Sequence, residues 1–193
     1  GFNVPDGDFC VFNPSLFDTD SGKIRLFKLH GSINLYRLRH FIKEENTTYD
    51  FYVKLVGNDR WHCKNNKGEV LSTIASYPIF LTGTNNKQSD YSHGIIRYIH
   101  LKFNEKLDKT DTIIMSGYGW NDRGINAYMF EWIMSSPKRK FILLHQDPES
   151  IKKSKSAMWH RYDDLVKWGR LIPVKKWMSD TTFNDISEYI KEH

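Results

Sequence analysis

A strand that runs into a glycine-rich turn and then into a helix is the feature that most constrains this fold. Residues 113–115 are apolar, Gly117 and Gly119 follow, and Asn121 and Asp122 are residue types that begin helices. Glycine lets a backbone approach a ligand, and the free amides at a helix start favour an anion. In the dinucleotide-binding fingerprint GxGxxG a third glycine would stand at position 122, where this chain has Asp122, so the match to the fingerprint is incomplete. The turn therefore predicts either a loop that binds a phosphate or ribose or a tight capped turn without a ligand.

Strands and helices alternate on both sides of this turn. The pattern predicts four helices: 94–107, 123–135, one from 148 to near Trp168 that Gly169 caps, and one that begins at Thr182. It predicts strands at 112–115, 141–144 and 171–174. Alternation of this kind is typical of a parallel sheet covered by helices. We therefore predict an α/β fold, with a Rossmann-like parallel sheet and flanking helices.

The amino-terminal part of the chain has a different pattern. Residues 1–23 are rich in turn-forming residues, and a short strand is predicted at 24–29. Between residues 35 and 75, apolar and polar residues alternate around two turns, which predicts a small antiparallel β insertion. Since neither repeats nor low-complexity tracts interrupt the chain, residues 1–193 are predicted to form a single domain.

Positive charge is concentrated in one segment. Residues 138–177 hold eleven basic and four acidic side chains and so account for all of the formal net charge of +5. Such a segment is either a solvated helix face or a surface, from Lys138 to Lys176, that docks nucleic acid or an acidic partner protein.

Cysteine content and hydropathy exclude several classes of protein. Cys10 and Cys63 lie far apart without a CxxC spacing, so neither a zinc site nor a disulfide framework is predicted. No apolar run approaches the roughly 18 residues that cross a bilayer, and the amino end has no signal-peptide pattern. We therefore expect a cytoplasmic protein with no metal and no membrane role.

Two further glycine-containing segments could line a ligand. His30 and Gly31 end the predicted strand at 24–29, and Thr82 and Gly83 follow an apolar run. Ligands of α/β proteins bind at the carboxyl ends of strands, so these two loops and the 117–122 turn would open on one edge of a single sheet. The alternatives are a structural histidine and an ordinary polar loop.

The order of four segments resembles the sirtuin-like family. The segments are KLHGSIN at 28–34, FLTGTNNK at 80–87, IIMSGYGWNDRGIN at 113–126 and FILLHQDP at 141–148. The resemblance covers about residues 24–148 and is to the divergent prokaryotic branch that hydrolyses NAD in anti-phage defence. It implies that NAD is the substrate, that nicotinamide and ADP-ribose are the products, and that no metal is needed.

The resemblance also implies roles for individual residues. His30 would be the catalytic residue, with Gly31 beside it. Gly31 is implied to contact NAD, as are Thr82 and Gly83 near the nicotinamide-side ribose. The other implied contacts are Gly117, Tyr118, Gly119 and Asp122 in the later glycine loop, and His145 or Asp147 near the adenosine ribose. A homo-oligomer or a partner protein of the same defence system is expected as well.

Two departures from the family pattern narrow this expectation. The four zinc-binding cysteines of sirtuin deacetylases are absent, and the 35–75 insertion stands in their place, which favours NAD hydrolysis over deacylation. The family's GAGxS loop and its Asn-Asp motif do not occur upstream of His30. The sequence is therefore expected to be the carboxy-terminal portion of a sirtuin-like domain.

The chemistry expected of His30 is proton transfer. A neutral imidazole can accept a proton from a ribose hydroxyl or from attacking water as nicotinamide leaves. The alternative is a non-catalytic module that senses nucleotides or docks a partner protein or nucleic acid through the basic segment. A serine hydrolase at Ser116 is excluded because the GxSxG pattern is absent.

Overall fold

The computed structural model of the protein describes residues 1–19, 24–57, 59–82, 91–153 and 157–191. It divides into two compact units, Gly1–Phe103 and Asn104–His193. The predicted mixed α/β class is confirmed, with an antiparallel sheet in the first unit and a parallel sheet in the second. A single domain and a Rossmann-like arrangement stay predictions.

The first unit is built on a five-stranded antiparallel sheet. Its strands are β1 (Phe9–Val11), β2 (Leu35–Ile42), β3 (Thr47–Leu55), β4 (Cys63–Lys64) and β5 (Val70–Thr73), in the order β1-β3-β2-β5-β4. A short 3₁₀ turn covers Pro14–Phe17, and helix α1 (Gly94–Leu107) begins in this unit. The antiparallel strands predicted between residues 35 and 75 are thus confirmed, and β1 adds a strand from the segment that the sequence indicated as a loop. That they form an insertion stays a prediction.

The antiparallel sheet curls until its two edge strands meet. The amide of Asp8, next to β1, donates to the carbonyl of Lys64 in β4 at 2.9 Å, and the amide of Lys64 donates to the Asp8 carboxylate at 2.9 Å. Alternate residues fill the interior, among them Leu38 and Val53, which are fully buried. The alternation of apolar and polar residues in the sequence therefore corresponds to the inner and outer faces of this sheet.

The prediction of a strand at residues 24–29 is wrong. Residues 24–28 have no strand partner, Ile24 is fully exposed and Leu26 is 72% exposed. Apolar composition alone suggested a strand here, but a strand also needs a neighbour that takes up its backbone hydrogen bonds.

The second unit contains a parallel sheet of three strands. They are β6 (Thr112–Ser116), β7 (Lys140–Leu144) and β8 (Leu171–Val174), with β7 in the centre and buried throughout. Helices α2 (Arg123–Met134), α3 (Ser150–Lys153), α4 (Tyr162–Lys167) and α5 (Phe183–Lys191) accompany them. The continuous apolar run in β7 is what burial on both faces requires.

The long helix predicted from residue 148 to Trp168 is wrong, since the structure has α3 and α4 instead. The ammonium of Lys152 forms an ion pair with Asp163 at 2.5 Å and lies 4.9 Å from the centre of the Tyr162 ring. In one continuous helix, eleven residues would separate Lys152 from Asp163 by about 16 Å along the axis. The break therefore lets these side chains meet, and Gly169, with φ +68°, follows α4 as predicted.

The prediction that three glycine loops open on one sheet edge is also wrong. The parallel sheet consists of β6, β7 and β8, and neither 24–31 nor 78–82 forms a strand of it. Within the described ranges, no helix is both long enough and apolar enough to cross a membrane.

Candidate functional site

The His30-Gly31 dipeptide forms a tight turn, here called the His-Gly turn. The amide of Gly31 donates to the Lys28 carbonyl at 2.9 Å, and Gly31 has φ +81°. A Cβ atom on Gly31 would lie 2.1 Å from the Ile79 carbonyl oxygen. Only glycine therefore allows this turn to approach the neighbouring segment so closely.

That neighbouring segment is the one that leads to Thr82. Gly31 pairs with Phe80 in an antiparallel bridge, and the amide of Leu81 donates to the His30 carbonyl at 2.8 Å. The structure thus brings together two segments that the sequence singled out 50 residues apart. Thr82 follows directly and is exposed, whereas Gly83 lies outside the described residues.

The His30 imidazole is oriented by an aromatic stack. Its Nε2 atom lies 3.1 Å from the Tyr91 hydroxyl, and the two rings are nearly parallel, at 7°. Tyr91 stacks in turn on His100, with 4.2 Å between ring centres, and His100 Nε2 donates to the Leu29 carbonyl at 2.8 Å. The half-buried His30 ring is therefore held by groups that are themselves buried.

Neither Tyr91 nor His100 was predicted from the sequence as a site residue. His100 lies on the buried face of α1, one position after the apolar Ile99. A histidine on the apolar face of a predicted helix is a signal that could have been used, because a buried imidazole requires a hydrogen-bond partner. Tyr91 precedes the helix and gave no such signal.

The 117–122 turn, here called the glycine loop, leaves the carboxyl end of β6. Gly117 has φ +68°, and apart from its two chain neighbours no described atom lies within 4 Å of where its Cβ would be. The backbone is therefore open to a ligand at this point. Gly119 has no positive φ, and its Cβ would lie 3.3 Å from the Asn121 side-chain nitrogen.

Trp120 fixes the middle of the glycine loop. It is almost completely buried, and its ring centre lies 5.6 Å from that of Phe130 and 5.7 Å from that of Phe141. Its φ of +58° is unusual for a bulky residue and marks a position that the surroundings force. Asn126, which the sequence analysis did not single out, donates to the Trp120 carbonyl at 2.8 Å.

Asp122 and Tyr118 both stabilise the end of the loop. The Asp122 carboxylate caps α2 by accepting from the Ile125 amide at 3.0 Å, as the capped-turn interpretation predicts. The Tyr118 hydroxyl donates to the Asn126 side-chain oxygen at 2.7 Å. Burial, together with the Asp122 charge, raises the pKa of Tyr118, so the hydroxyl keeps its proton.

His145 follows β7 at the same sheet edge as the glycine loop. Ser116 pairs with Leu144 at the ends of β6 and β7, so the next residues on both strands leave the sheet side by side. His145 Nδ1 accepts from the Asp147 amide at 3.1 Å, and its ring centre lies 6.2 Å from that of Trp177. The predicted residues of the second unit are thus clustered, and Trp177 is an additional exposed aromatic beside them.

Much of the basic segment has a structural role. Arg139 donates to the carbonyls of Trp132 and Asp108, and Arg170 donates to the Ser136 carbonyl. Among the described residues of this segment, the exposed basic side chains are Lys138, Arg161, Lys167 and Lys175. A docking surface for nucleic acid or an acidic partner stays a prediction.

No protein-family model matches the sequence, and no curated protein is significantly similar to it. Within the described ranges, no group of three or more histidine, cysteine, aspartate or glutamate side chains is placed to hold a metal ion. The resemblance to the sirtuin-like family stays a prediction.

Proposed function

We propose that this chain belongs to a sirtuin-like enzyme that hydrolyses NAD to nicotinamide and ADP-ribose in prokaryotic anti-phage defence. The observation that best supports the proposal is the His-Gly turn, in which Tyr91 orients His30 and the turn lies against the segment that leads to Thr82. General-base chemistry on a ribose requires an imidazole held in a fixed orientation, and the Tyr91 contact supplies that orientation.

His30 is the proposed general base. In the reaction, the bond between the nicotinamide nitrogen and the ribose carbon breaks, and nicotinamide leaves with the electron pair. The oxygen of a water molecule forms the new bond to the same carbon, and the proton that this water loses goes to the imidazole of His30. Because Tyr91 restricts rotation of the ring, little orientational freedom is lost when substrate binds.

The glycine loop is proposed to contact the dinucleotide. The backbone at Gly117 is open, while Trp120 and Asn126 hold the rest of the loop. A rigid loop with one accessible stretch of backbone suits a phosphate or a ribose hydroxyl, since it needs no rearrangement on binding. His145 and Trp177 offer a polar and an aromatic group at the same sheet edge for the adenosine end.

Product analysis tests this proposal. The full-length protein that contains this sequence is purified and incubated with NAD, and nicotinamide and ADP-ribose are quantified by liquid chromatography. The proposal predicts that the two products form in equal amounts. Binding of NAD without product formation would overturn it in favour of a nucleotide-sensing module, and the absence of both binding and products would overturn the assignment of NAD as well.

A further inference from the structure

A cavity next to the His-Gly turn is not used by the proposed chemistry. It has a volume of about 290 Å³ and lies entirely within the first unit. Its apolar wall consists of Phe2, Phe17, Leu26, Leu35 and Ile99, three of which are buried. An apolar cavity of roughly 150 Å³ is enough to hold a benzene ring, so this one has room for a ring or a short chain with a polar group attached.

The polar part of the wall is cationic. Among the described residues, the polar lining besides Gly31 is Lys28, Ser32, Asn34 and Lys54, and it includes no carboxylate. The Lys28 ammonium donates to the Ser32 hydroxyl at 3.1 Å, and this hydroxyl donates to the Asn34 side-chain oxygen at 2.8 Å. An ammonium group has three protons, so two of those on Lys28 remain for a ligand.

Lys54 faces the same cavity because of the strand register. It lies directly opposite Leu35 in the β2–β3 pair, and directly opposed residues project from the same face of a sheet. Leu35 is part of the cavity wall, and Lys54 lines it beside Leu35. In the described part of the chain, neither Lys28 nor Lys54 forms an ion pair with an acidic side chain.

We propose that this cavity binds a small carboxylate with an aromatic or short aliphatic body. The body occupies the apolar wall, and the carboxylate accepts hydrogen bonds from the ammonium groups of Lys28 and Lys54. An apolar pocket with a few placed charges is the usual form of a small-molecule site, and hydrogen bonds between ammonium and carboxylate are among the stronger ones. The proposal does not depend on NAD chemistry.

Benzoate and benzamide are matched probes for this site because they share a ring and differ in charge. Each is titrated into the wild-type chain without NAD, and binding is followed by isothermal calorimetry and by ligand-observed NMR. We expect saturable benzoate binding with a roughly millimolar Kd, as is usual for so small a ligand, and benzamide binding at least about five-fold weaker. Absence of saturation, or equal affinity for the two probes, would overturn the proposal.

Two charge-matched double variants then assign the anion contact. Lys28→Gln with Lys54→Gln removes both cavity lysines, whereas Lys43→Gln with Lys67→Gln removes two exposed lysines that do not line it. The first should weaken benzoate binding about 10-fold or more, and the second should leave it unchanged. An unchanged affinity in the first would contradict the assignment. If that double variant does not fold, the benzoate affinity of Lys54→Gln alone tests the anion contact, and an affinity equal to wild type would contradict it.

Discussion

The Nε2 atom of His30 lies 3.1 Å from the hydroxyl of Tyr91, across 61 residues of sequence. Tyr91 is therefore the proposed positioning residue for the imidazole. We expect Tyr91→Phe to keep the fold and the KM for NAD and to lower kcat for nicotinamide release by about 10-fold, as second-sphere partners of histidine commonly do.

A second histidine–tyrosine pair provides the control. The Tyr49 hydroxyl lies at the same distance, 3.1 Å, from His40 Nδ1 on the exposed surface of the antiparallel sheet. Tyr49→Phe should leave kcat unchanged. If Tyr91→Phe also changed kcat by less than two-fold, Tyr91 would have no positioning role.

Gly31 and Gly68 have the same backbone conformation, with φ +81° and +80°, but different surroundings. A Cβ on Gly31 meets the Ile79 carbonyl, whereas one on Gly68 meets no described atom within 4 Å. Gly68→Ala should cost about 1–2 kcal/mol of unfolding free energy from the positive φ alone. Gly31→Ala should cost clearly more, because the backbone must also move. Chemical denaturation measures both, and equal losses would refute the close approach.

Gly117 and Gly169 form a similar pair, both with φ +68° and open space around them. Alanine at either position should lower the unfolding free energy by about 1–2 kcal/mol. Only Gly117→Ala should weaken NAD binding, because only the glycine loop is proposed to contact the dinucleotide. Calorimetric titration with NAD separates the two, and equal affinities would remove Gly117 from the site.

Asp185 links the stability of α5 to pH. Hydrogen bonds from Lys176 and from Thr182 lower the pKa of its carboxyl to about 2, compared with about 3.9 in an unfolded chain. A lowered pKa means that the stabilisation is complete above about pH 4 and is lost as the pH falls toward 2. Asp185→Asn should therefore lower the Tm at neutral pH, and the difference from wild type should shrink in that acid range.

Asp180→Asn is the control for this pH dependence. It removes the same charge nearby, from a carboxylate that has no ion pair with a basic side chain in the described ranges. Because this carboxylate has no such ion pair, its Tm at neutral pH should differ from wild type by less than that of Asp185→Asn. A constant Tm difference between wild type and Asp185→Asn across the acid range would contradict the assigned pKa.

Local signals explain why much of the second unit could be predicted. Thr182 and Asp185 form a capping pair that begins α5, and Gly169 supplies the left-handed residue after α4. The apolar run of β7 indicated a strand buried on both faces. Each of these elements depends on residues close together in the chain.

Long-range contacts explain what could not be predicted. β1 is a strand only because β3 pairs with it. Residues 24–28 do not form a strand because no described residue pairs with them. The antiparallel contact of Gly31 with Phe80, and the contact of His30 with Tyr91, join segments that have no periodic relation in the sequence. The sequence indicated which residues could carry chemistry, but not which of them meet.

Nicotinamide release by His30→Ala tests the central proposal most directly. The matched control is His160→Ala, which removes an exposed imidazole in the second unit. Loss of a general base should lower the rate at least about 100-fold in His30→Ala, while His160→Ala stays at the wild-type rate and both variants remain folded. A folded His30→Ala variant that releases nicotinamide at the wild-type rate would contradict the proposed role of His30.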